Sequence, residues 1–373
     1  MNDMHGLIFA YARDDAQLKE LAEHRAASAL PFGGRYRVID FMLSSMVAAG
    51  VTDVGVLMRE SYQSLLDHLG SGKDWDLSRK RGGLRMLPPF SYAGKGPYEG
   101  VFLGNMAALR DVSSYLSHIR QEYVVLAGGC LVANLPLEDA LRWHVNAGAD
   151  ITALCTPRRL GKPEHAYYLM LDDGGHVSDI TRGRDMHGSA EAMGVYILSK
   201  ARLESLVDYC HAQNLYDFER DVLLSMSDAL KVNGYVFDGF AARMSTVESY
   251  FQHNMDMLRA DVRASLFTKE RPIKTKVRDD ASTYYAPGAR VRNCVVADGC
   301  YIEGDVENSV IFRGVRIGAG ARVYNSILMQ DTTVSPGAIV RYAITDKEVV
   351  ISEGRMVMGY TTCPYMAGKG IVI

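Results

Sequence analysis

The sequence predicts an α/β protein: a Rossmann-like domain followed by a left-handed parallel β-helix. Three observations carry this. Over the first two-thirds, short strands that are apolar throughout alternate with helical stretches, as in a largely parallel sheet covered on both faces. Beyond residue 282, glycine and an aliphatic residue recur in fixed phase, the mark of a solenoid. The 373 residues exceed one ordinary core, so two domains are expected.

In chain order, Gly6-Leu-Ile-Phe-Ala is the first buried strand and Asp53-Val-Gly-Val-Leu-Met the second. Tyr123-Val-Val-Leu-Ala and Asp150-Ile-Thr-Ala-Leu-Cys follow, with helical patterns over Val112–Ile119 and Leu137–Ala147. Met193-Gly-Val-Tyr-Ile-Leu leads into a helix near Ala201, and a helix over Asp217–Leu230 precedes the strand Val232-Asn-Gly-Tyr-Val-Phe. These make residues 1–255 one domain. Residues 256–282 are charged and contain Pro272, Lys274 and Lys276, which suits a helix and then an extended connector.

In residues 283–373, Asn293-Cys-Val-Val, Asn308-Ser-Val-Ile and Asn325-Ser-Ile-Leu recur at spacings of 15 and 17, and Arg341-Tyr-Ala-Ile follows 16 later. Between them stand Gly288-Ala-Arg-Val, Gly299-Cys-Tyr-Ile, Gly314-Val-Arg-Ile, Gly320-Ala-Arg-Val and Gly337-Ala-Ile-Val. Glycine permits the sharp corner, and the aliphatic residue three later points into the coil. Three hexapeptides per coil give a spacing of roughly 18, shortened where a corner is trimmed. This segment contains no histidine, which argues against a hexapeptide acyltransferase.

Apolar content of 48% and charged content of 23% suit a soluble globular protein. A net charge of −3 gives no reason to expect nucleic acid or an anionic membrane as partner. No apolar run is long enough to span a bilayer. Met1-Asn-Asp-Met-His lacks the pattern of a secretory signal, so a cytoplasmic location is expected. Six cysteines without a Cys-x-x-Cys pair argue for reduced thiols, with neither structural zinc nor a disulfide framework.

The stretch Arg25-Ala-Ala-Ser-Ala-Leu-Pro-Phe-Gly-Gly-Arg-Tyr-Arg-Val-Ile-Asp-Phe-Met-Leu-Ser-Ser resembles the signature of the glucose-1-phosphate adenylyltransferase (ADP-glucose pyrophosphorylase) family. Thr246, Ser249, Tyr250, Asn254 and Met255 match a second family motif, and the likeness spans essentially the whole chain. The segments Tyr62–Leu77 and Arg79–Leu84 are similar to those of one branch, a noncatalytic glycogen-biosynthesis subunit. The resemblance implies a nucleotidyltransferase domain carrying the β-helix.

Against this pattern the catalytic groups are missing. The two aspartates that bind Mg²⁺ in the family fall on Gly129 and Arg243, and the histidine beside the first falls on Cys130. Hard divalent cations need oxygen ligands, which these residues do not supply. The family's glycine-rich phosphate loop is replaced by Tyr11-Ala-Arg-Asp-Asp, with no glycine between Gly6 and Gly33. Asp14 and Asp15 repel a triphosphate there, and Arg13 is an ordinary surface arginine. The sugar-phosphate lysine falls on Gly183, with Arg182 and Arg184 as partial substitutes. The segment framing the sugar survives as Glu191-Ala192-Met193-Gly194, its serine replaced by Ala192.

Gly183, Ala192, Met193 and Gly194 thus mark a degenerate sugar pocket. Arg25 and Arg35 remain as phosphate or effector candidates, because arginine forks suit phosphate oxygens. Arg37 and Asp40 are expected to hold their loop through an ion pair and a helix cap. No catalytic residue, metal or cofactor is expected, since phosphoryl transfer depends on metal and cationic positioning of the phosphates.

The resemblance then implies a regulatory subunit in glycogen biosynthesis that joins the catalytic subunit of ADP-glucose pyrophosphorylase in a hetero-oligomer, a heterotetramer, and responds to a sugar-phosphate effector. The rival readings are a weakly active adenylyltransferase using Asp14 or Asp111 for the metal, and a stand-alone sugar-phosphate sensor.

Overall fold

The computed structural model describes residues 3–11, 15–59, 61–87, 104–161 and 163–373. Besides the two-residue strands Pro31–Phe32 and Tyr36–Arg37, the strands of the first part are β1 Met4–Phe9, β2 Asp53–Leu57, β3 Gly83–Leu87, β4 Tyr123–Gly128, β5 Leu131–Ala133, β6 Ile151–Thr156, β7 Tyr167–Leu171, β8 Val177–Arg182, β9 Ala190–Ser199, β10 Val232–Val236 and β11 Ala241–Arg243. The main helices are α1 Val38–Ala48, α2 Gln63–Leu69, α3 Asn105–Asp111, α4 Leu137–Ala147, α5 Lys200–Ala212, α6 Val247–Asp256 and α7 Ala260–Leu266, with the short helix Ser113–Ser117 inside the expected Val112–Ile119 and 3-10 turns between.

A nine-stranded sheet runs β8-β7-β9-β4-β1-β2-β3, with β6 also paired to β9 and β10 to β6. Its core is split by the period-two alternation of side chains. Leu7 and Phe9 of β1 join Val124 and Leu126 of β4 on one face, while Ile8, Val125 and Ala127 join the cluster on the other. Strands buried on both sides must be apolar throughout, which is why they are visible in the sequence.

The sheet is less parallel than expected. The β9 strand runs antiparallel to β4, β6 and β7. Its pairing with β6 slips between Ala192 and Val195, where Gly194 takes φ +73°. This glycine-containing irregularity turns Ala192, Met193 and Gly194 toward one cleft. The helix expected over Asp217–Leu230 is instead a wide π-turn, Phe218–Leu224, followed by irregular turns. Asp217 accepts from Arg220 N–H, and Asp221 Oδ2 accepts from the N–H groups of Tyr216 and Asp217. These side-chain bonds satisfy backbone donors that an α-helix start leaves open.

From Tyr284 onward the chain forms a left-handed parallel β-helix whose sides are three five-stranded parallel sheets. Ile302, Ile317, Val323 and Val340, each three residues after a glycine, are fully buried in its centre. Burying each such side chain contributes about 1.5–3 kcal/mol relative to exposure. The asparagines are corner residues: Asn293, Asn308 and Asn325 take φ of 47°, 48° and 46°, in the left-handed region asparagine tolerates. Ile327 pairs with Ile344, so the repeat after Asn325 is shifted by one from the expected Arg341. Tyr342, at φ +49°, occupies the asparagine corner in that coil.

The two parts share one hydrophobic cluster, in which Phe32, Phe41 and Tyr250 pack with Val310, Phe312, Met329 and Ile344. The family motifs act as its fasteners. Tyr250 donates its hydroxyl to Pro31 O at 2.6 Å, and Asn254 Oδ1 accepts from Gly33 N–H at 3.0 Å. Gly33 and Gly34 take φ of +57° and +86°, the left-handed turn that glycine permits.

Candidate functional site

A cleft of about 520 Å³ opens at the carboxyl ends of β1 and β4, where open α/β sheets bind ligands. Its walls include Phe9, Tyr11, Tyr167, Met193, Tyr196, Phe218 and Arg243. The Gly129 position lies at the loop after β4, with its N–H bonded to Phe9 O at 2.8 Å. A Cβ added there stands 3.1 Å from Phe9 O and from Ser28 Cβ, and 3.2 Å from Ala10 Cα. Ser28 is itself pinned by its hydroxyl to Ala10 O at 2.8 Å. Two of those three neighbours are backbone, so a side chain there requires the main chain to give by a few tenths of an ångström.

Arg243, on β11, reaches across the cleft floor to β9. Its Nη2 donates to Ala192 O at 2.8 Å, and its Nη1 meets Glu191 Oε1 at 3.3 Å. Glu191 is fully buried and also accepts from Leu160 N–H at 3.0 Å. Burial raises the pKa of Glu191, opposed by the Arg243 charge and the Leu160 bond. The guanidinium thus stands already paired, at the position that the sequence resemblance sets against an aspartate.

These residues do not fit a magnesium ion. A guanidinium only donates and repels a second cation, glycine has no ligand atom, and the Cys130 thiol beside it is soft. Among the described residues no group of three His, Cys, Asp or Glu side chains could hold a metal ion. Asp111 is exposed on α3 and does not line the cleft, and Asp14 lies outside the described residues with Arg13.

Tyr11, where the glycine-rich loop would begin, turns its ring inward. It packs edge-on against Phe9 at 6.0 Å, with the Arg59 guanidinium 5.6 Å from its ring centroid and its hydroxyl on Asn105 Oδ1 at 3.2 Å. Of the four residues assigned to a degenerate sugar pocket, Ala192, Met193 and Gly194 line the cleft and Gly183 does not. Gly183 takes φ +72° and bonds Ala166 O, while its neighbour Arg182 lines the cleft, 5.9 Å from the Tyr167 ring.

Arg25 belongs to neither cleft nor solvent. It is 3% exposed, and its Nη2 bonds both carboxylate oxygens of Asp346 at 2.8 Å. Its fork is spent on joining the first part to the β-helix, which corrects its assignment as a phosphate candidate. Arg35 is exposed at the same junction. The expected Arg37–Asp40 side-chain pair is not formed: Arg37 Nη1 donates to Ser64 O and Oγ, and Asp40 Oδ1 bonds His68 Nε2 at 2.6 Å. The cap is present, since Asp40 Oδ2 accepts from Arg37 N–H at 2.9 Å at the start of α1.

Around Arg25 the junction gathers positive charge that the sequence reading missed. The sheet register stacks Arg313, Gln330 and Lys347 along one corner of the β-helix. Burial and the charges of Arg37 and Arg25 push the Lys347 ammonium down to about 8. Burial lowers the Arg37 pKa to about 10, and the charges of Arg25, Arg278 and Arg313 add to this against Asp40. Arg313 is lowered by burial, Arg278 and Arg35, opposed by Asp280, its ion partner at 3.8 Å. Like charges are thus held together and partly dried, which an anion placed among them would offset. The one sequence signal was the charged run Asp346-Lys347-Glu348 between the apolar stretches of its coil.

The fold and cleft define a nucleotidyltransferase domain bearing a hexapeptide β-helix. Residues 16–259 match the nucleotidyl transferase family model, and residues 277–362 match the GlmU-like C-terminal hexapeptide model. The chain is 32% identical to the glycogen biosynthesis protein GlgD of Bacillus subtilis over 307 residues, 82% of this chain and 78% of that protein. It is 36% identical to GlgD of Geobacillus stearothermophilus over 322 residues, 86% and 83% of the two chains. A glucose-1-phosphate adenylyltransferase of Pseudothermotoga lettingae is 30% identical over 311 residues, 82% and 73% of the two. The chain belongs to the family of glucose-1-phosphate adenylyltransferases and GlgD proteins. No helix among the described residues is long and apolar enough to cross a membrane.

Proposed function

We propose that this chain is a noncatalytic regulatory subunit of ADP-glucose pyrophosphorylase in glycogen biosynthesis, acting on the catalytic subunit within a hetero-oligomer, a heterotetramer. The observation that carries the reading is Arg243, whose guanidinium is tied to Ala192 O and buried Glu191 in the family's metal position. Among the described residues of the cleft, Gly129 offers no ligand atom and Tyr11 packs on Phe9, which supports a cleft that does not organise a metal-bound triphosphate. The intact β-helix is what such a subunit contributes: surface for assembly.

The junction cluster of Arg35, Arg37, Arg278, Arg313 and Lys347 supplies the effector arm of this reading. It suits a phosphorylated metabolite such as a sugar phosphate, and it sits where the two parts of the chain share a core. Binding there that changes the packing of Arg25 against Asp346 couples effector to subunit contact.

The test is pyrophosphate release from ATP and glucose-1-phosphate by the homogeneous chain, with size-exclusion chromatography of its mixture with the cognate catalytic subunit. The reading expects no magnesium-dependent turnover alone and co-elution in the mixture. Turnover on the order of 1 per second, or separate elution, contradicts it.

A further inference from the structure

The cleft lacks metal ligands, but its floor carries polar groups that the regulatory reading does not use. The pairing of β9 with β6 stops at Ala192 and resumes at Val195, and its pairing with β4 begins at Val195. Met193 and Gly194 therefore stand outside both ladders and line the cleft with main chain. Gly194 has no side chain to cover its peptide. A Cβ added there would lie 3.9 Å from Glu219 Oε1 and 4.0 Å from Arg243 Nη2. A carboxylate and a guanidinium thus flank one bare stretch of backbone.

Two aromatic rings complete this floor. Tyr196, two residues beyond Gly194, donates its hydroxyl to the same Glu219 Oε1 at 2.6 Å. Its ring leans against Phe218 with centroids 4.9 Å apart, and both rings line the cleft.

The charges are committed before any ligand enters. Arg243 is offset by Glu191, and Arg220 places Nε on Asp221 Oδ1 at 2.6 Å and Nη2 on Oδ2 at 2.9 Å. Asp217 and Glu219 then stand against Arg182 as the remaining charged carboxylates and guanidinium of the described lining, which contains no lysine. The surroundings carry one negative charge in excess. A phosphate dianion at Gly194 meets the Glu219 carboxylate, and two like charges 4 Å apart repel by about 4 kcal/mol near a protein surface.

An uncharged sugar suits the same floor. Its hydroxyls donate and accept, so they match a carboxylate, a tyrosine hydroxyl and open peptide groups without bringing charge. Its apolar ring face matches the Tyr196 and Phe218 rings, in a cleft of ordinary ligand size.

We propose that this cleft binds an uncharged hexose unit, as a free sugar or the end of a glucan chain, and that Glu219 excludes the phosphorylated sugar. The inference concerns the ligand of the cleft and stands apart from the regulatory reading, which requires none there.

The experiment is calorimetric titration of the full chain with glucose and with maltotriose, followed by competition with glucose-1-phosphate. The account expects an uncharged sugar to bind with a dissociation constant on the order of 1 mM. Tighter binding of maltotriose assigns the site to a chain end, and equal or tighter binding of glucose to the free sugar. Glucose-1-phosphate in about tenfold excess leaves the bound sugar in place. A sugar phosphate held at the domain junction does not compete, so displacement reports on the cleft. Glu219→Gln keeps the shape and removes the charge, and raises the affinity of the competitor about tenfold or more. Tyr196→Phe weakens binding of the uncharged sugar several-fold. No uncharged sugar bound by the wild-type chain, or ready displacement from it by glucose-1-phosphate, overturns the inference without recourse to any variant. Sugar binding that is unchanged in both variants places the sugar elsewhere and also overturns it. None of these outcomes bears on the regulatory reading, which mixing with the catalytic subunit tests.

Discussion

Arg25 and Asp346, 321 positions apart, form a two-oxygen ion pair at 2.8 Å that is sealed from solvent between the nucleotidyltransferase domain and the β-helix. Asp346 Oδ1 also accepts from its neighbour Lys347 N–H at 2.7 Å. One carboxylate thus ties the domain junction to the backbone that carries the cationic corner.

Arg25→Ala leaves the Asp346 carboxylate buried without its partner, a change that costs about 3–5 kcal/mol. Urea denaturation of the variant at neutral pH is expected to show a loss in that range. A loss below about 1 kcal/mol, within reach of exposed pairs, contradicts the assignment.

Anion binding at the junction is expected to weaken with rising pH. Lys347, lowered to about 8, carries its charge below that value and loses it above, whereas the unfolded lysine keeps it to about 10.5. The cost of charging Lys347 among its cationic neighbours is present below pH 8 and relieved as pH rises through it. A bound anion offsets that cost and takes up a proton near pH 8. Sulfate, whose own charge is constant there, is expected to bind several-fold more tightly at pH 7 than at pH 9, and Lys347→Met to flatten the profile, as measured by calorimetry. A flat wild-type profile removes Lys347 from the site.

Glu191 is the counterpart test inside the cleft. Burial raises its pKa, so its charged form costs stability above that pKa, and the cost disappears below the unfolded value. Arg243→Ala removes the opposing charge and is expected to destabilise more at pH 7.5 than at pH 4.5, with a difference on the order of 1 kcal/mol or more. Equal losses at both pH values mean that the pair contributes packing alone.

Restoring the family's aspartates is expected to fail. Gly129→Asp drives a side chain against Phe9 O and Ala10 and costs roughly 1–3 kcal/mol of stability. Arg243→Asp then faces Glu191 and leaves two carboxylates together. The double variant is expected to melt earlier and to make no ADP-glucose. Ready turnover by it would show that the lost ligands alone silenced the site.

The readable parts of this molecule were those written locally. Buried strands declare themselves through unbroken apolar runs, and the β-helix through glycine and aliphatic residues in phase. The Asn293, Asn308 and Asn325 corners were visible as repeats, but Tyr342 in the same left-handed turn broke the pattern and displaced the expected register by one. Gly129 and Arg243 were identifiable because matched residues flank them; the pairing of Arg243 with Glu191 was not, because only the fold brings the β11–β5 ribbon, and with it the Arg243 side chain, within reach of β9. Arg25 was misassigned for the same reason: its residue type suggests phosphate, and its partner lies in another domain. The π-turn at Phe218–Leu224 follows from carboxylates bonding nearby N–H groups, which helical periodicity does not report.

The shared core also changes how the β-helix is tested. Phe32, Phe41 and Tyr250 pack with Val310, Phe312 and Ile344, so deleting residues 283–373 exposes the interior of the first domain. Truncation is expected to give insoluble or molten protein, judged by near-ultraviolet circular dichroism. A folded, cooperatively melting fragment contradicts the shared core.

The central claim is that this chain changes the activity of another subunit and has none itself. The direct measurement is ADP-glucose formation as the chain is titrated into a fixed amount of the cognate catalytic subunit, with the chain alone as the zero point. The account predicts no product from the chain alone and a saturable change in the partner's rate or effector response, ending at a fixed subunit ratio. Magnesium-dependent product from the chain alone, or a partner whose kinetics do not move at any ratio, contradicts it.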